Sequence, residues 1–424
     1  MKGHDRRSAA ACSCLAARDM RYTPVRVVEL ELDRPDELRS PGGLGPVVPY
    51  GRVLALVRLH GHPLGLVNAD GEPGDPAGLR RALVAAAHRE LHVTTRPPAP
   101  RPRTADGTAT AVATPRLTVV VATHNRPESL RRCLDSLLRT RYPGLEIVVV
   151  DNAPADDSAR ELVLAHYPPT VRYLREPVPG LARAHNRGLA AAHGALVAFT
   201  DDDTLVDPGW PRALAAAFAA DPAVGCVTGL IVPAELETPG QAALEAHGGY
   251  TKGFTTRRWS LDRPPAEPLF PFAGGRFGSG ANMAFRADLL HRLGGFDPAT
   301  GTGTPARGGD DLLAFFRVLV AGAALVYSPD AVVWHHHRRD MDALAAQAYG
   351  YGVGFGAYLT AALTHEPAML PALLRRLPRG LGEAVHRVRS RPAPGPAANG
   401  AHLARLELRG LAYGPVGYRR ARRG

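Results

Sequence analysis

The chain has 424 residues, 45% of them hydrophobic, with 45 Gly, 39 Pro and a net charge of +11, which fits a soluble protein of two or three domains with many turns and at least one linker. No stretch reaches the ~18–20 apolar residues of a membrane-spanning helix, and Cys12, Cys14, Cys133 and Cys226 form no CxxC pair and no His-rich zinc spacing. Residues 371–424 carry twelve Arg against Glu383 and Glu407, so nearly all the excess charge belongs to the tail and the body is almost neutral.

Residues 1–20 are expected to be disordered or a mis-called start. The apolar run at 9–15 is too short and weak for a secretory signal, and Met20 offers an alternative start. Residues 21–95 read as a small N-terminal α+β accessory domain. Alternating runs at 25–32 and 53–59 predict strands, Gly61-His62-Pro63 a turn, 64–67 another strand and 78–90 a helix. No catalytic constellation lies there, so a structural or partner-binding role is expected. Residues 96–115, rich in Pro and Arg and then in Thr, Ala and Gly, predict an extended, semi-rigid linker.

A βαβα series follows. Strands are predicted over 117–122, 146–150 and 171–174, and helices over 128–139, 158–166 and 181–192. Strands alternating with helices at this spacing argue for a mostly parallel sheet with helices on both faces. The apolar run 196–199 predicts a buried strand that ends in Asp201-Asp202-Asp203. Ligand sites in open α/β sheets lie beyond such strand ends. Three adjacent carboxylates repel one another unless a cation or hydrogen-bond donors offset them, which points to a hard-metal site; Asp203 or Asp207 as the cap of the next helix is the plainer alternative. Asp151 ends a strand in the same way, suited either to accepting from a ribose hydroxyl or base N–H or to capping a turn, and Thr123 should sit beside it. No GxGxxG follows the first strand and no GxxxxGK[ST] is present, which counts against a dinucleotide site and excludes a P-loop. Cys133 and Cys226 fall on apolar helical and strand positions, as core residues in a reducing compartment do.

Beyond residue 230 the pattern breaks into Gly-rich loops at 274–280 and 294–309. A helix over 311–321 and strands near 324–327 and 331–334 restore order, and Asp311 could also serve as a helix cap. The helical stretch 343–363 precedes Leu370, Leu373, Leu374, Leu377, Leu381, Val385 and Val388 at helical spacing with Arg between. Two readings of this basic stripe stay open: contact with an anionic membrane, or packing on the body with Arg in water.

Seven motifs occur in order: Thr-Val-Val-Val-Ala-Thr-His-Asn-Arg-Pro (118–127), Val-Val-Val-Asp-Asn (148–152), Gly-Leu-Ala-Arg-Ala-His-Asn-Arg-Gly-Leu (180–189), Phe-Thr-Asp-Asp-Asp (199–203), Gly-Ser-Gly-Ala-Asn-Met-Ala-Phe-Arg (278–286), Gly-Gly-Phe-Asp (294–297) and Gly-Gly-Asp-Asp (308–311). Together they resemble the family 2 glycosyltransferases, inverting enzymes of the GT-A fold, over a domain spanning 116–345. The resemblance implies a Rossmann-like sheet, a nucleoside-diphosphate-sugar donor (UDP or dTDP favoured), a hydroxyl acceptor and a divalent metal, Mg²⁺ or Mn²⁺. Carried over by motif, Thr123 and Asp151 would hold the nucleoside, with Arg183 and Asn186 near the nucleotide; His185 stands where the family often has Arg. Asp201 and Asp203 would be the DxD carboxylates, Asp201 shared between donor and metal and Asp203 the direct ligand. The family's base is the Asp of a Glu-Asp pair; here the pair is Asp310-Asp311, which makes Asp311 the candidate and Asp310 its companion. Within Trp334-His335-His336-His337 a histidine resembles the family's metal or diphosphate contact; His335 and His337 share one face of an extended segment, and His335 is assigned. Gly280 and Asn282 would shape the acceptor side.

The rival readings are a non-catalytic nucleotide-sugar-binding subunit, disfavoured by the presence of Asp203 and Asp311, and a sugar nucleotidyltransferase, disfavoured because Thr123-His124-Asn125 has neither Gly nor Lys. Residues 346–424 are expected to form a basic helical extension. The expected location is cytoplasmic, with peripheral contact at the inner membrane face. No nucleic-acid partner is expected, since no reader motif accompanies the arginines.

Overall fold

The computed structural model describes residues 24–91, 114–376, 378 and 398–423. Five strands form a first sheet: β1 (Arg26–Glu31), β2 (Leu38–Arg39), β3 (Pro46–Val47), β4 (Gly51–Leu59) and β5 (His62–Gly71), in the order β3-β2-β1-β4-β5. Helix α1 (Pro76–Glu90) starts with Pro at its first turn and with Asp75 accepting from the Gly78 N–H at 2.7 Å. Alternation along β4 decides the packing. Val53, Ala55 and Val57 face Leu79 and Leu83 of α1, while Leu54 and Leu56 join the core of the larger sheet. The N-terminal sheet is therefore buried on both faces. Its polar anchor is Arg58, which lies 2.9 Å from Glu29 and 2.6 Å from Asp207, all three largely buried.

The second sheet comprises β6 (Leu117–Thr123), β7 (Leu145–Asn152), β8 (Val171–Glu176), β9 (Leu196–Asp201), β10 (Thr204–Val206), β11 (Val224–Pro233), β12 (Arg257–Trp259), β13 (Met283–Arg286) and β14 (Ala324–His335). Its order is β10-β14-β11-β13-β9-β6-β7-β8, with β12 on β14. Strands β8, β7, β6 and β9 are parallel, as are β11 and β14; β13 runs against both its neighbours, and β10 and β12 run against β14. The sheet is thus mixed, with two parallel blocks joined through a reversed strand.

Helices cover both faces. Leu117, Val119 and Val121 of β6 pack with α2 (Pro127–Leu138), α3 (Ser158–His166) and α5 (Trp210–Ala220). Val120 and Ala122 face the side that carries α4 (Leu181–Ala191), α7 (Ala287–Arg292) and α8 (Asp310–Val320). The two strands expected at 324–327 and 331–334 are one, β14, with irregular register against β11. Among the elements not anticipated from the sequence are β10, β12, β13 and α6 (Pro239–His247), which opens with a Thr238/Gln241 capping box.

Two helices complete the fold: α9 (Met341–His365) and α10 (Ala398–Ala421). They meet backbone to backbone, because a Cβ added at Gly352 would collide with the Glu407 carbonyl, and one at Gly356 with Leu411. Leu403 and Tyr418 are buried, while Arg405, Arg409, Arg419 and Arg420 face solvent. Over α10, then, the basic extension is packed on the body with its arginines in water. Of the expected stripe, Leu373 is buried and Leu370 and Leu374 are exposed; Leu377, Leu381, Val385 and Val388 lie outside the described residues. No helix among the described residues is long and apolar enough to cross a membrane.

Candidate active site

Register aligns the acidic strand ends. Central β6 pairs Thr123 with Asp151 on one side and Ala122 with Asp201 on the other, so all three polar residues share one sheet edge. The chain then turns through Asp202 and Asp203 into β10, whose antiparallel pairing sets Thr204 opposite His335. That pairing brings the Asp203 Oδ1 within 3.3 Å of the His335 Nε2. One ligand atom from each of Asp201, Asp203 and His335 lies within 4.8 Å of the others.

The three carboxylates differ in their surroundings. Asp202 is wholly buried, accepting from the Thr123 hydroxyl at 2.7 Å and lying 2.6 Å from Arg126. Burial pushes its carboxyl up to about 6 against the pull of Arg126. Asp203 accepts from Arg126 at 2.8 Å; burial would lift it, but His335 and Arg126 hold it below the usual range. Asp201 is raised well above normal by burial and then by Asp203 and Asp202. His335 is pushed down to about 4 by burial, against the attraction of Asp203, and is neutral at physiological pH. Arg126 therefore neutralises part of the cluster, and Asp201 remains the carboxyl without a close cation.

A cavity of about 1200 Å³ opens over this edge, lined by Thr123, Asp201, Asp203 and His335 and, further along, by Asp310 and Asp311. Gly309, with φ 88°, lets the chain enter α8 so that both carboxylates fall in its first turn. The Asp311 carboxylate accepts from the Gly280 N–H at 2.9 Å and from the Leu312 N–H at 2.8 Å. Burial, and then the neighbouring Asp310, push it up to about 6. Asp310 is buried with its Oδ2 3.3 Å from the His185 Nδ1. The far wall carries Tyr250 and Tyr351, whose hydroxyls are hydrogen-bonded, with Lys252, and Leu408 and Leu411 of α10.

A profile described as Glycosyl transferase family 2 matches residues 118–294. The chain carries a family 2 glycosyltransferase domain. Over 263 residues it is 31% identical to the pre-mycofactocin glycosyltransferase of Mycobacterium tuberculosis, covering 61% of this chain and 50% of that protein, so the chain spans about half the length of that relative. A glucosyl-dolichyl phosphate glucuronosyltransferase of Haloferax volcanii is 23% identical over 250 residues, 56% of this chain and 75% of its own. Among solved structures, the mannosyltransferase PcManGT from Pyrobaculum calidifontis in complex with GDP-Man and Mn²⁺ aligns at a TM-score of 0.43 and 24% identity, over 73% of this chain and 86% of that one. The sheet of this domain, mixed and with helices on both faces, is of the α/β class that the sequence led us to expect.

Within the family 2 domain the motif residues do not all reach the cavity. Asn186 clamps the 294–297 turn instead: its amide donates to the Phe296 carbonyl and accepts from the Phe296 N–H, both at 2.8 Å. Asn282 is fully buried, accepting from the Trp210 Nε1–H at 2.8 Å and donating to the Leu230 and Ala331 carbonyls, so Ala281 rather than Asn282 faces the cavity. Arg183 stands half-buried on α4 beside Gly180 and is not a lining residue. Asp151 lies beneath the surface formed by Asn152 and Ala153; Tyr173 donates to its Oδ2 at 2.9 Å, and its Oδ1 is buried without a hydrogen-bond partner. Gly280 contributes its backbone N–H to Asp311. Arg126 lay unmarked in the Asn-Arg-Pro turn, and no motif pointed to Tyr250, Tyr351 or a cavity-lining role for the C-terminal helix.

Proposed function

We propose that the protein transfers a sugar, with inversion, from a nucleoside-diphosphate-sugar to an acceptor hydroxyl. The observation that carries this reading is one cavity holding both a cation-suited cluster, Asp201, Asp203 and His335, and a separate carboxylate, Asp311, oriented by two backbone N–H groups. The cluster fits a divalent ion: two oxygen donors and a neutral imidazole face one point, and the Asp203 Oδ1 is buried without a hydrogen-bond donor. Such an ion, Mg²⁺ or Mn²⁺, would stabilise the negative charge that grows on the departing diphosphate.

The protein's own groups supply the rest. Thr123, on the cavity lining, is assigned to the nucleoside, with Asp151 paired beside it on β7 as the buried support of that edge rather than a surface contact. Asp311 is assigned as the base that takes the acceptor's proton as the hydroxyl attacks the anomeric carbon from the face opposite the leaving group. With its carboxyl near 6 it is mostly ionised at neutral pH yet basic enough to share a proton in the transition state. Asp310, by proximity, helps to keep it there. The α10 wall, with Leu408 and Leu411, is assigned to the acceptor, an apolar surface for the part of that molecule beyond its reacting hydroxyl.

The test is a panel of UDP-, dTDP- and GDP-sugars with Mn²⁺ or Mg²⁺, read by protection against thermal unfolding and by slow donor hydrolysis. Metal-dependent protection and hydrolysis with one donor class support the reading. Binding without any turnover, in hydrolysis or with candidate acceptors, would favour a non-catalytic donor-binding protein.

A further inference from the structure

The strand end Trp334-His335-His336-His337 alternates its side chains, and the structure puts His335 and His337 together with Nδ1 facing Nδ1 at 2.9 Å. One of these two nitrogens must carry the shared proton. The other side of His337 limits the choice. Its Nε2 lies 2.7 Å from the Oε1 of Glu245, on α6, and both side chains are almost fully buried. A carboxylate only accepts, so the His337 Nε2 bears the proton. A neutral His337 then presents its Nδ1 as an acceptor, and the donor between the rings is the His335 Nδ1–H. The His335 Nε2 is left as a bare lone pair. That nitrogen faces the Asp203 Oδ1 at 3.3 Å, and the two make no hydrogen bond, since the Asp203 Oδ1 has no partner. Ring orientation is fixed by packing: the Tyr250 ring lies 5.0 Å from that of His335 and 5.6 Å from that of His337, centroid to centroid.

We propose that Glu245 and His337 are positioning residues that hold His335 in its Nδ1–H form, so that its Nε2 lone pair points with Asp201 and Asp203 at a divalent cation. This rests on the metal reading above and extends it to α6, which lies outside the acidic motif and reaches the cluster only through the fold. Histidines that bind metals are commonly oriented by an acceptor on the other ring nitrogen; here a second histidine carries that acceptor role from a buried carboxylate. The competing arrangement is a charged His337 donating to both Glu245 and the His335 Nδ1, with the His335 Nε2–H facing Asp203.

Long-range ¹⁵N–¹H correlation spectra of the unmodified, metal-free full chain separate the two, with His335 assigned by its loss in His335→Gln. A protonated Nδ1 at His335 and a protonated Nε2 at His337 are expected; a protonated Nε2 at His335 overturns the proposal. Binding of Mn²⁺ alone, followed by the electron paramagnetic resonance of the free ion, gives the second readout. Glu245→Leu should weaken Mn²⁺ about 10–100-fold, and Glu245→Gln, whose amide oxygen still accepts, should restore most of it. Equal Mn²⁺ affinity in the wild type and a folded Glu245→Leu variant refutes the positioning role while leaving the metal reading intact. Failure of the wild type to bind Mn²⁺ removes the metal reading itself, and the proposal with it.

Discussion

Asp311→Asn separates chemistry from folding at one position. The carboxyl is raised from 3.8 to about 6, a shift of about two units, or roughly 3 kcal/mol at 1.36 kcal/mol per unit. The residue lines the cavity and is only half-buried, so solvent screening brings the usable figure to about 1–2 kcal/mol. Because the folded state holds this proton more tightly than the unfolded chain, the group favours folding most below pH 4. That contribution falls as pH rises from about 4 to 6, and above pH 6 the ionised carboxylate opposes folding in full. Asparagine removes the ionisation, keeps one oxygen for the Gly280 or Leu312 N–H and leaves the other donor poorly met, a loss of about 1 kcal/mol. Stability at pH 7 should therefore be unchanged or higher by about 1 kcal/mol, and the difference from wild type should reverse below pH 5. Transfer at saturating donor should drop about 10²–10⁴-fold with donor affinity intact. Urea unfolding at pH 4.5 and 7, beside steady-state transfer, measures both. Loss of several kcal/mol at pH 7 would make Asp311 a structural helix-start residue. An inactive Asp310→Asn beside an active Asp311→Asn would shift the base by one residue, and full activity in both would end the single-displacement assignment to this pair.

Transfer by the wild type should fall below pH 6 with a slope of one as Asp311 takes up a proton; a rate independent of pH between 5 and 7 at saturating donor and metal would contradict this. Arg58→Ala leaves Glu29 and Asp207 buried without their cation and should lower stability by about 3–5 kcal/mol, read as a shift in urea midpoint; an unchanged midpoint would show the N-terminal sheet to be loosely attached. Gly356→Val, which forces α10 away from α9, should raise the acceptor KM several-fold with little effect on donor affinity. An equal rise in both would remove α10 from the acceptor side.

The family 2 half of the fold was legible because β6, β7 and β9 are continuous apolar runs closed by polar turns, and their parallel pairing brings the polar ends to one edge. Other features were set by tertiary contacts that carry no local pattern. Strand β10 is three residues long and exists through β14, and β13, the reversed strand between β9 and β11, is where the expected mostly parallel sheet becomes mixed. The motif asparagines misled for a chemical reason: an amide that can grip a ligand can equally grip backbone, as Asn186 does at Phe296 and Asn282 at Leu230 and Ala331. The pairing of His335 with His337 followed from the period of two along a strand, but Glu245, 92 residues from His337, was beyond any sequence spacing argument.

The most direct test is calorimetric titration of the best donor from the sugar-nucleotide panel, with and without Mn²⁺, into the wild type and Asp203→Ala. Tight donor binding only with the metal is expected in the wild type, with loss of that metal dependence and of turnover in the folded variant. Unchanged affinity, metal dependence and turnover in Asp203→Ala would show that the strand-end carboxylates do not hold the ion, and would contradict the assignment of the site.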